Sequence, residues 1–423
     1  MTTRNAPDPV DCDVLIAGGG MVGASLAVAL SGLPLKVTVV EAIRPGDPGQ
    51  PSFDARTTAL SRSSRRILGT LGVWPLVAAN ATPIGRIHVS ERGRLGTTVI
   101  DGDKEGGEPL GYVLENRLLG GALWRLLGTA GQVEVRAPAT VAGIVSGPDA
   151  LQVEVRQDGA TNQVRTRLLV VADGARSSLR EALGIGARHR PYEQTAIVGN
   201  VALETVSPDP GRSSAAGSTA YERFTPDGPL ALLPAGAGRY VFVLTRRAAV
   251  ADDVAALSDR DFLELLQREF GFRLGRFARV GQRHSYPLEL VAAEAVTAHR
   301  VALIGNAAHG LHPVAGQGYN LGLRDAAALA ELIAGEARRA AGAGDSGGAA
   351  LLDAYATWRR PDQQKVVAFT DGLIRLFGRD GLGPVRGLGL ALFDTFPGAK
   401  SLLARETMGL GGRRSLLVRG LPL

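Results

Sequence analysis

Asp13-Val-Leu-Ile-Ala-Gly18-Gly-Gly20-Met-Val-Gly23 is the stretch on which the fold turns. Its apolar run Asp13–Ala17 ends in glycines, the pattern of a parallel strand buried on both faces. Gly20 to Ser31 carries helical apolar spacing, and Lys36–Glu41 (KVTVVE) is β-branched and strand-like. Together they predict one strand–helix–strand unit. In such a unit Gly18 permits a tight turn, Gly20 leaves room for a pyrophosphate, and Gly23 lets helix and strand pack closely. The helix N-terminus offers free N–H groups and a partial positive charge to phosphate. Glu41 stands where a carboxylate accepts bonds from an adenosine ribose. An acid there favours FAD or NAD over NADP, whose extra phosphate it would repel. A plain glycine-rich turn would explain the glycines but neither the flanking elements nor the acid.

Outward from this unit the chain alternates. Thr57–Leu71 predicts a helix closed by Gly72, and Arg86–Glu91 and Thr97–Ile100 predict short strands of an antiparallel region. Asn116 is placed to cap a helix whose apolar face is Leu118, Leu119, Ala122, Leu123, Leu126 and Leu127. Val133–Arg136 resumes the parallel pattern. Leu151–Arg156, a turn at Asp158-Gly159 and Val164–Val171 predict a hairpin that runs into a buried strand. Strand-like runs fill Tyr192 to Arg246, followed by a helix over Ser258–Phe270. Val301–Ile304 predicts another buried strand, with a helix over about Gly318–Gly335 after a loop. Ala341–Ala350 is rich in small residues and predicts a flexible surface connection, and Leu351–Phe377 and Val385–Phe393 predict helices. The fold class is α/β, with a discontinuous nucleotide-binding domain interrupted by an antiparallel second domain.

Composition narrows the function. The 423 residues are 45% apolar and 21% charged, the balance of a globular protein. One cysteine, Cys12, excludes a disulfide framework and any cysteine-based zinc or iron–sulfur site. No apolar run reaches the roughly 18–20 residues of a membrane span. Val14–Leu30 is split by Gly18-Gly19-Gly20 and preceded by Asp8, Asp11 and Asp13, unlike a signal peptide, so a cytoplasmic location is expected. A net charge of +6 without any nucleic-acid-binding signature is that of an arginine-rich solvated surface, and no nucleic-acid partner is expected.

Two further glycine loops follow buried strands. Val170-Val-Ala-Asp173-Gly174-Ala-Arg176-Ser177-Ser178-Leu-Arg180 also fits a simple N-capped helix, with Asp173 and Ser177 satisfying backbone groups. Gly305-Asn306-Ala-Ala-His309-Gly-Leu-His312-Pro313-Val-Ala-Gly316-Gln317-Gly318-Tyr-Asn320 brings backbone close to a planar ligand. The helix starting near Gly318 would aim its positive end at developing negative charge. His309 and His312 lack carboxylate or thiol companions at a recognised ligand spacing, so no metal is expected. His312 before Pro313 is expected to shape the loop.

In this order the three motifs resemble the flavoprotein aromatic hydroxylases of the para-hydroxybenzoate hydroxylase type. They resemble more closely the hydroxylases of ubiquinone biosynthesis, of the UbiH type, which act on 2-polyprenyl-6-methoxyphenol. Phe53-Asp-Ala-Arg56, Ile87–Gly93 (IHVSERG), Tyr221–Thr225 (YERFT), Asp227–Pro234 (DGPLALLP) and Ser285–Leu288 extend the likeness, which fades after about Phe377. The resemblance implies a Rossmann-like FAD-binding fold of the GR2 type. Residues 1–83, 111–184 and 286–380 would bind FAD, 84–110 and 185–285 would form an inserted substrate-binding sheet, and 381–423 a helical tail. Gly18, Gly20, Gly23 and Glu41 would hold the ADP half of FAD, Arg56 and Arg117 would touch the cofactor, and Asp173 would serve both FAD and reduced nicotinamide. Gly305 and Asn306 would meet the ribityl–phosphate segment, and Pro313, Gly316, Gln317, Gly318 and Asn320 would line the isoalloxazine. The wider family has Asp where this chain, like the UbiH type, has Asn306, which hydrogen-bonds but supplies no charge.

The implied activity is that of a monooxygenase that uses FAD, NAD(P)H and O2 to hydroxylate a polyprenylated phenol through a flavin C4a-hydroperoxide. Only one GxGxxG of this quality is present, so no second Rossmann domain for the nicotinamide is evident, as in the family; no acid–base dyad stands out, so no obligatory catalytic side chain is expected. Tyr221, Phe224, Leu230 and Leu232 are candidates for an apolar channel and equally for ordinary core. The tail Leu402–Leu423 mixes leucines with Arg405, Arg413, Arg414 and Arg419. It is expected to be disordered or docked on a partner, such as another ubiquinone-biosynthesis protein, ahead of touching the inner membrane. Two other readings remain: a flavin monooxygenase for another aromatic substrate, and an FAD-stabilised scaffold without catalysis. A flavin halogenase is disfavoured because Trp74, Trp124 and Trp358 are isolated, with no Trp-x-Trp.

Overall fold

The structure, a computed structural model, describes residues 9–47, 49–50, 56–94, 96–204, 216–339, 344–377, 394 and 396–423. The N-terminal apolar run forms the strand Cys12–Ala17 within an eight-stranded sheet. Its main path runs Thr297–Ala298, Val301–Leu303, Ala160–Val171, Cys12–Ala17, Val37–Val40, Val133–Arg136. The last five are mutually parallel. The register sets Ala17 beside Val40 and Val171, and Val171 beside Leu303. Neighbouring strands lie about 4.8 Å apart. The residues that follow these four therefore emerge together at one sheet edge. They are the three glycine motifs and Glu41.

Strand alternation divides the apolar side chains between two cores. Val14 and Ile16 join a core with Leu26 of the helix Met21–Leu30, Leu119 and Leu123 of Asn116–Gly128, and Leu329 and Ile333 of Gln317–Arg339. Leu15 and Ala17 join a second core with Val153 and Val155 of the strand Leu151–Gln157, which pairs antiparallel with Ala160–Val171. Both faces of the parallel sheet are thus covered.

A second, nine-stranded sheet contains Arg86–Glu91, Thr97–Asp101, Ala187–Leu203, Thr219–Thr225, Gly228–Pro234, Arg239–Arg247, Phe277–Val280, His284–Ala293 and His309–Gly310. All its pairs are antiparallel except Thr219–Thr225 with Arg86–Glu91. The strand His284–Ala293 continues through Tyr286, so the chain leaves this sheet only after Ala293. One face packs on the helix Asp259–Phe270 through Phe262, Leu266 and Phe270.

Several local expectations change. Thr57–Leu71 is not one helix: Thr57–Ser61 is a strand paired with Gly111–Glu115, and the helix is Arg62–Thr70. Ser61 Oγ accepts the Ser64 N–H at 3.3 Å and so starts the helix. Asn116 is the first residue of its helix, not the cap, and its Oδ1 accepts from the Thr58 hydroxyl at 2.7 Å. Of the expected flexible connection, residues 344–348 are held by Asp345, which takes two hydrogen bonds from Arg300 at 2.7 and 2.8 Å; residues 341–343 and the helix expected at Val385–Phe393 lie outside the described residues.

The described tail packs back onto this chain. Ala404 and Met408 pack with Ile100 and Leu110, and Leu417 and Val418 join the main core. The Leu416 N–H donates to Glu331 Oε2 at 2.6 Å, and Arg413 lies 3.8 Å over the Trp358 ring. Ala404, Met408, Leu417 and Val418 are buried by this chain, which removes the expectation of disorder for the described tail. Among the described residues no helix is long and apolar enough to cross a membrane.

Candidate functional site

At the sheet edge the three motifs touch one another. Gly18 has φ +108, and a Cβ there would lie 2.4 Å from the Ala172 carbonyl oxygen, at the start of the second motif. A Cβ on Gly23 would lie 2.0 Å from the Gly18 carbonyl oxygen, so this close approach of helix to turn requires glycine. The third motif closes the group: Gly322 sits against the Gly305 backbone and Val22. Arg180 ties the second motif to the third by donating to the Ala307 carbonyl at 3.1 Å.

The helix Met21–Leu30 begins at Gly20 without a side-chain cap. Its first N–H groups remain available to a phosphate. Glu41 is buried beside it. Its Oε2 accepts the Gly19 N–H at 2.6 Å and its Oε1 the Ile43 N–H at 3.0 Å. A carboxylate has about four acceptor positions, so two such bonds leave capacity for a ribose diol.

The remaining candidates fall in different settings. Asp173 is exposed at the turn and accepts the Leu179 N–H at 3.4 Å, while Ser177 caps the helix Ser178–Ala182, so the capping reading of this motif holds too. Arg56 lies 5.0 Å over the Tyr286 ring, and Arg117 pairs with Glu115 in a more exposed position. Asn306 and Pro313 are exposed, and a Cβ on Gly318 would meet open space.

His312 Nδ1 accepts the Val314 N–H at 3.1 Å, which shapes the loop. Burial pushes its imidazole down to about 4, so it is neutral near pH 7. Asn320 is fully engaged. Its Oδ1 accepts from the Ser61 N–H and the Ser64 hydroxyl, and its Nδ2 donates to the Ala59 and Gly316 carbonyls. It fastens the Pro313–Gly318 turn to the strand Thr57–Ser61.

Beside that turn opens a cavity of about 540 Å³. Val314, Ala315, Gln317 and Asn320 form one side of it. Ile87, Val89, Glu222 and Phe224 come from the second sheet, and Phe369, Leu373 and Leu376 from the helix Ala349–Phe377. Phe224 stacks on Phe377 with ring centres 3.5 Å apart. Of the four channel candidates only Phe224 lines this space. Tyr221, Leu230 and Leu232 belong to the core under Asp259–Phe270, because alternation turns them to the other face of the sheet.

Residues 11–370 match the FAD binding domain family. The chain is 40% identical to the ubiquinone hydroxylase UbiL of Rhodospirillum rubrum over 418 residues, covering 97% of this chain and 93% of that one. The chain belongs to the FAD-binding ubiquinone hydroxylases. It is also 32% identical to the 3-demethoxyubiquinol 3-hydroxylase of Escherichia coli over 325 residues, 76% of this chain and 79% of that protein. Its fold is that of p-nitrophenol 4-monooxygenase from Pseudomonas putida, with a TM-score of 0.75 at 20% identity over 95% of this chain and 98% of that one. Like its family, the chain is a FAD-dependent monooxygenase.

The atoms at the sheet edge fit that cofactor. Besides the open N–H groups and Glu41, several buried polar atoms of the motifs and their neighbours have no hydrogen-bond partner among the described residues, Trp124 Nε1 and Gln317 Oε1 among them. Trp124 lies against Gly19, where a Cβ would come within 2.6 Å of the indole ring. No motif marks Trp124. Its only sequence signal is a large aromatic on the helix that packs beside Met21–Leu30.

Proposed function

We propose that this hydroxylase oxidises a polyprenylated phenol, with 2-polyprenyl-6-methoxyphenol converted to the benzoquinol as the specific reaction. The observation that carries the reading is the apolar cavity set against the Pro313–Gly318 turn, with isoprenoid-compatible walls of Ile87, Val89, Phe369 and Leu373. The uncapped helix at Gly20 and the Glu41 carboxylate would hold the ADP half of FAD, with Arg56, Arg117 and Asp173 near its exposed side and Gly305 and Asn306 toward its ribityl chain. When bound, FAD supplies activation of O2 at the expense of NAD(P)H. The chain's part is to orient the ring against the turn, to offer the backbone N–H groups at the start of the helix Gln317–Arg339 to negative charge, and to exclude water with the cavity walls. The division of labour would follow the two sheets, with residues 1–83, 111–184 and 294–380 serving FAD and 84–110 and 185–293 the phenol. Leu376 and Leu402, 46% and 63% exposed, belong to the helices that wall the cavity, which supports a cytoplasmic protein working at the inner-membrane surface where its substrate partitions.

The test is turnover of a prenylated 2-methoxyphenol by the FAD-loaded protein with NAD(P)H under ¹⁸O2. One labelled oxygen in the product and phenol-stimulated NAD(P)H consumption are expected. Unlabelled phenol recovered with no stimulated consumption would leave only a flavin-binding scaffold.

A further inference from the structure

Glu222 lies in the Tyr221–Thr225 stretch, on the strand Thr219–Thr225. Alternation turns Tyr221 into the core and Glu222, with Phe224, toward the cavity. Its strand neighbours are Val89 and Ala231, neither of which has a side chain able to bond it. Among the described residues Glu222 is the one ionisable side chain that lines the cavity, and no described donor reaches its carboxylate.

Several charged groups on the surrounding elements are committed elsewhere. Arg86 pairs with Asp101, and Arg190 and Arg375 with Asp371. Lys400 pairs with Asp394, and Lys365 with Glu406. Arg92 and Arg246 converge on Glu269, whose carbonyl takes Arg223. His88 on the neighbouring strand contacts Tyr221, on the face away from the cavity. Burial alone raises the Glu222 carboxyl from 4.5 to about 7.

A lone carboxylate in an apolar cavity is costly unless a ligand supplies a donor. A phenol is such a ligand, with one hydroxyl on an otherwise apolar ring. Resting on the hydroxylase reading above, we propose that Glu222 is the catalytic residue that takes the proton of the substrate's phenolic hydroxyl. The phenolic O–H bond breaks, the proton joins a Glu222 carboxylate oxygen, and the electron pair stays on the phenolic oxygen. That pair raises electron density at the ortho and para carbons, where an electrophilic oxygen is received. The proton returns to the product oxygen after hydroxylation, so Glu222 is unchanged over a turnover. This proposal departs from the expectation from sequence that no side chain is obligatory.

Glu222→Gln keeps the size and a hydrogen-bonding oxygen but cannot take the proton. In the FAD-loaded enzyme kcat is expected to fall about 100-fold or more, with KM for the phenol little changed. The rise of kcat with pH through about 7 should vanish in the variant and persist in Glu222→Asp. Independently of turnover, an alkyl-tailed 4-nitrophenol bound to the wild-type holoenzyme above pH 7 should show its phenolate absorption, and bound to Glu222→Gln the neutral band. Wild-type hydroxylation with an unchanged kcat and pH profile in Glu222→Gln overturns the proposal and leaves the reaction standing. Glu222-dependent ionisation of bound nitrophenol without hydroxylation of any phenol overturns the reaction and leaves the proton acceptor standing. If Glu222→Gln loses FAD, the wild type decides: nitrophenol that stays neutral in the cavity above pH 7 overturns the proposal.

Discussion

Buried charge is handled in opposite ways in two regions of this molecule. Where the helices Gln317–Arg339 and Ala349–Phe377 pack, Arg359 bonds Asp325 at 2.6 Å, Arg324 bonds Asp362 at 2.8 Å, and Arg359 also meets Asp362. Burial works against the charges of Arg359 and Asp362. The aspartates nevertheless raise the Arg359 guanidinium well above its usual range, and the two arginines draw the Asp362 carboxyl down to about 2. In the cavity Glu222 faces no counter-charge among the described residues and is pushed the other way. A paired network holds helices in place. An unpaired carboxylate is a standing penalty that makes sense only with a ligand. This difference separates structural charge from chemical charge.

The largest expected effect comes from breaking the paired region. Asp325→Ala leaves Arg359 buried with one partner fewer, and unfolding in urea should show a loss of about 3–5 kcal/mol. Next comes relief of the unpaired one. The folded carboxyl of Glu222 titrates near 7 against 4.5 in the open chain, so between those values the native state holds more protons. Wild-type stability therefore falls as pH rises through that window, and the penalty is complete above about 7. Glu222→Gln should be more stable than wild type at pH 8 by at most about 3 kcal/mol, and no more stable below about pH 4. The same substitution that removes turnover should thus stabilise the fold, and a difference independent of pH would break the comparison.

An uncharged reference sits at the sheet edge. Gly23→Ala places a Cβ where the Gly18 carbonyl oxygen lies, so the turn must shift, and FAD binding followed by flavin fluorescence should weaken about tenfold. The smallest effect sharpens the contrast within the site. His312 titrates near 4, so His312→Gln should leave the position of any pH transition near 7 unmoved. A displaced transition would transfer the proton chemistry from the carboxylate to the imidazole.

The cofactor edge was legible because its signals are local. A strand, a glycine turn and a helix start follow one another in Asp13–Gly23, and parallel pairing then brings Gly18, Asp173 and Gly305 together. The strand Thr57–Ser61 was not legible. Its pairing with Gly111–Glu115 spans some fifty residues of sequence, and the serines and arginines after it carry helical spacing straight through. The tail misled because leucines mixed with arginines look alike whether they cover this chain's core or a partner. Glu222 was quoted only as part of a family-like stretch. A glutamate between Tyr221 and Arg223 on a strand is usually solvated, and only the helix Ala349–Phe377 with the docked tail turns its surroundings into an apolar cavity.

The most direct test is a crystal structure of the FAD-loaded protein with a prenylated phenol bound. The account expects the isoalloxazine along the Pro313–Gly318 turn, the prenyl chain between Val89 and Leu373, and the phenolic oxygen within hydrogen-bonding distance of Glu222. A flavin seated away from that turn, or a phenol bound with its hydroxyl out of reach of Glu222, would contradict it.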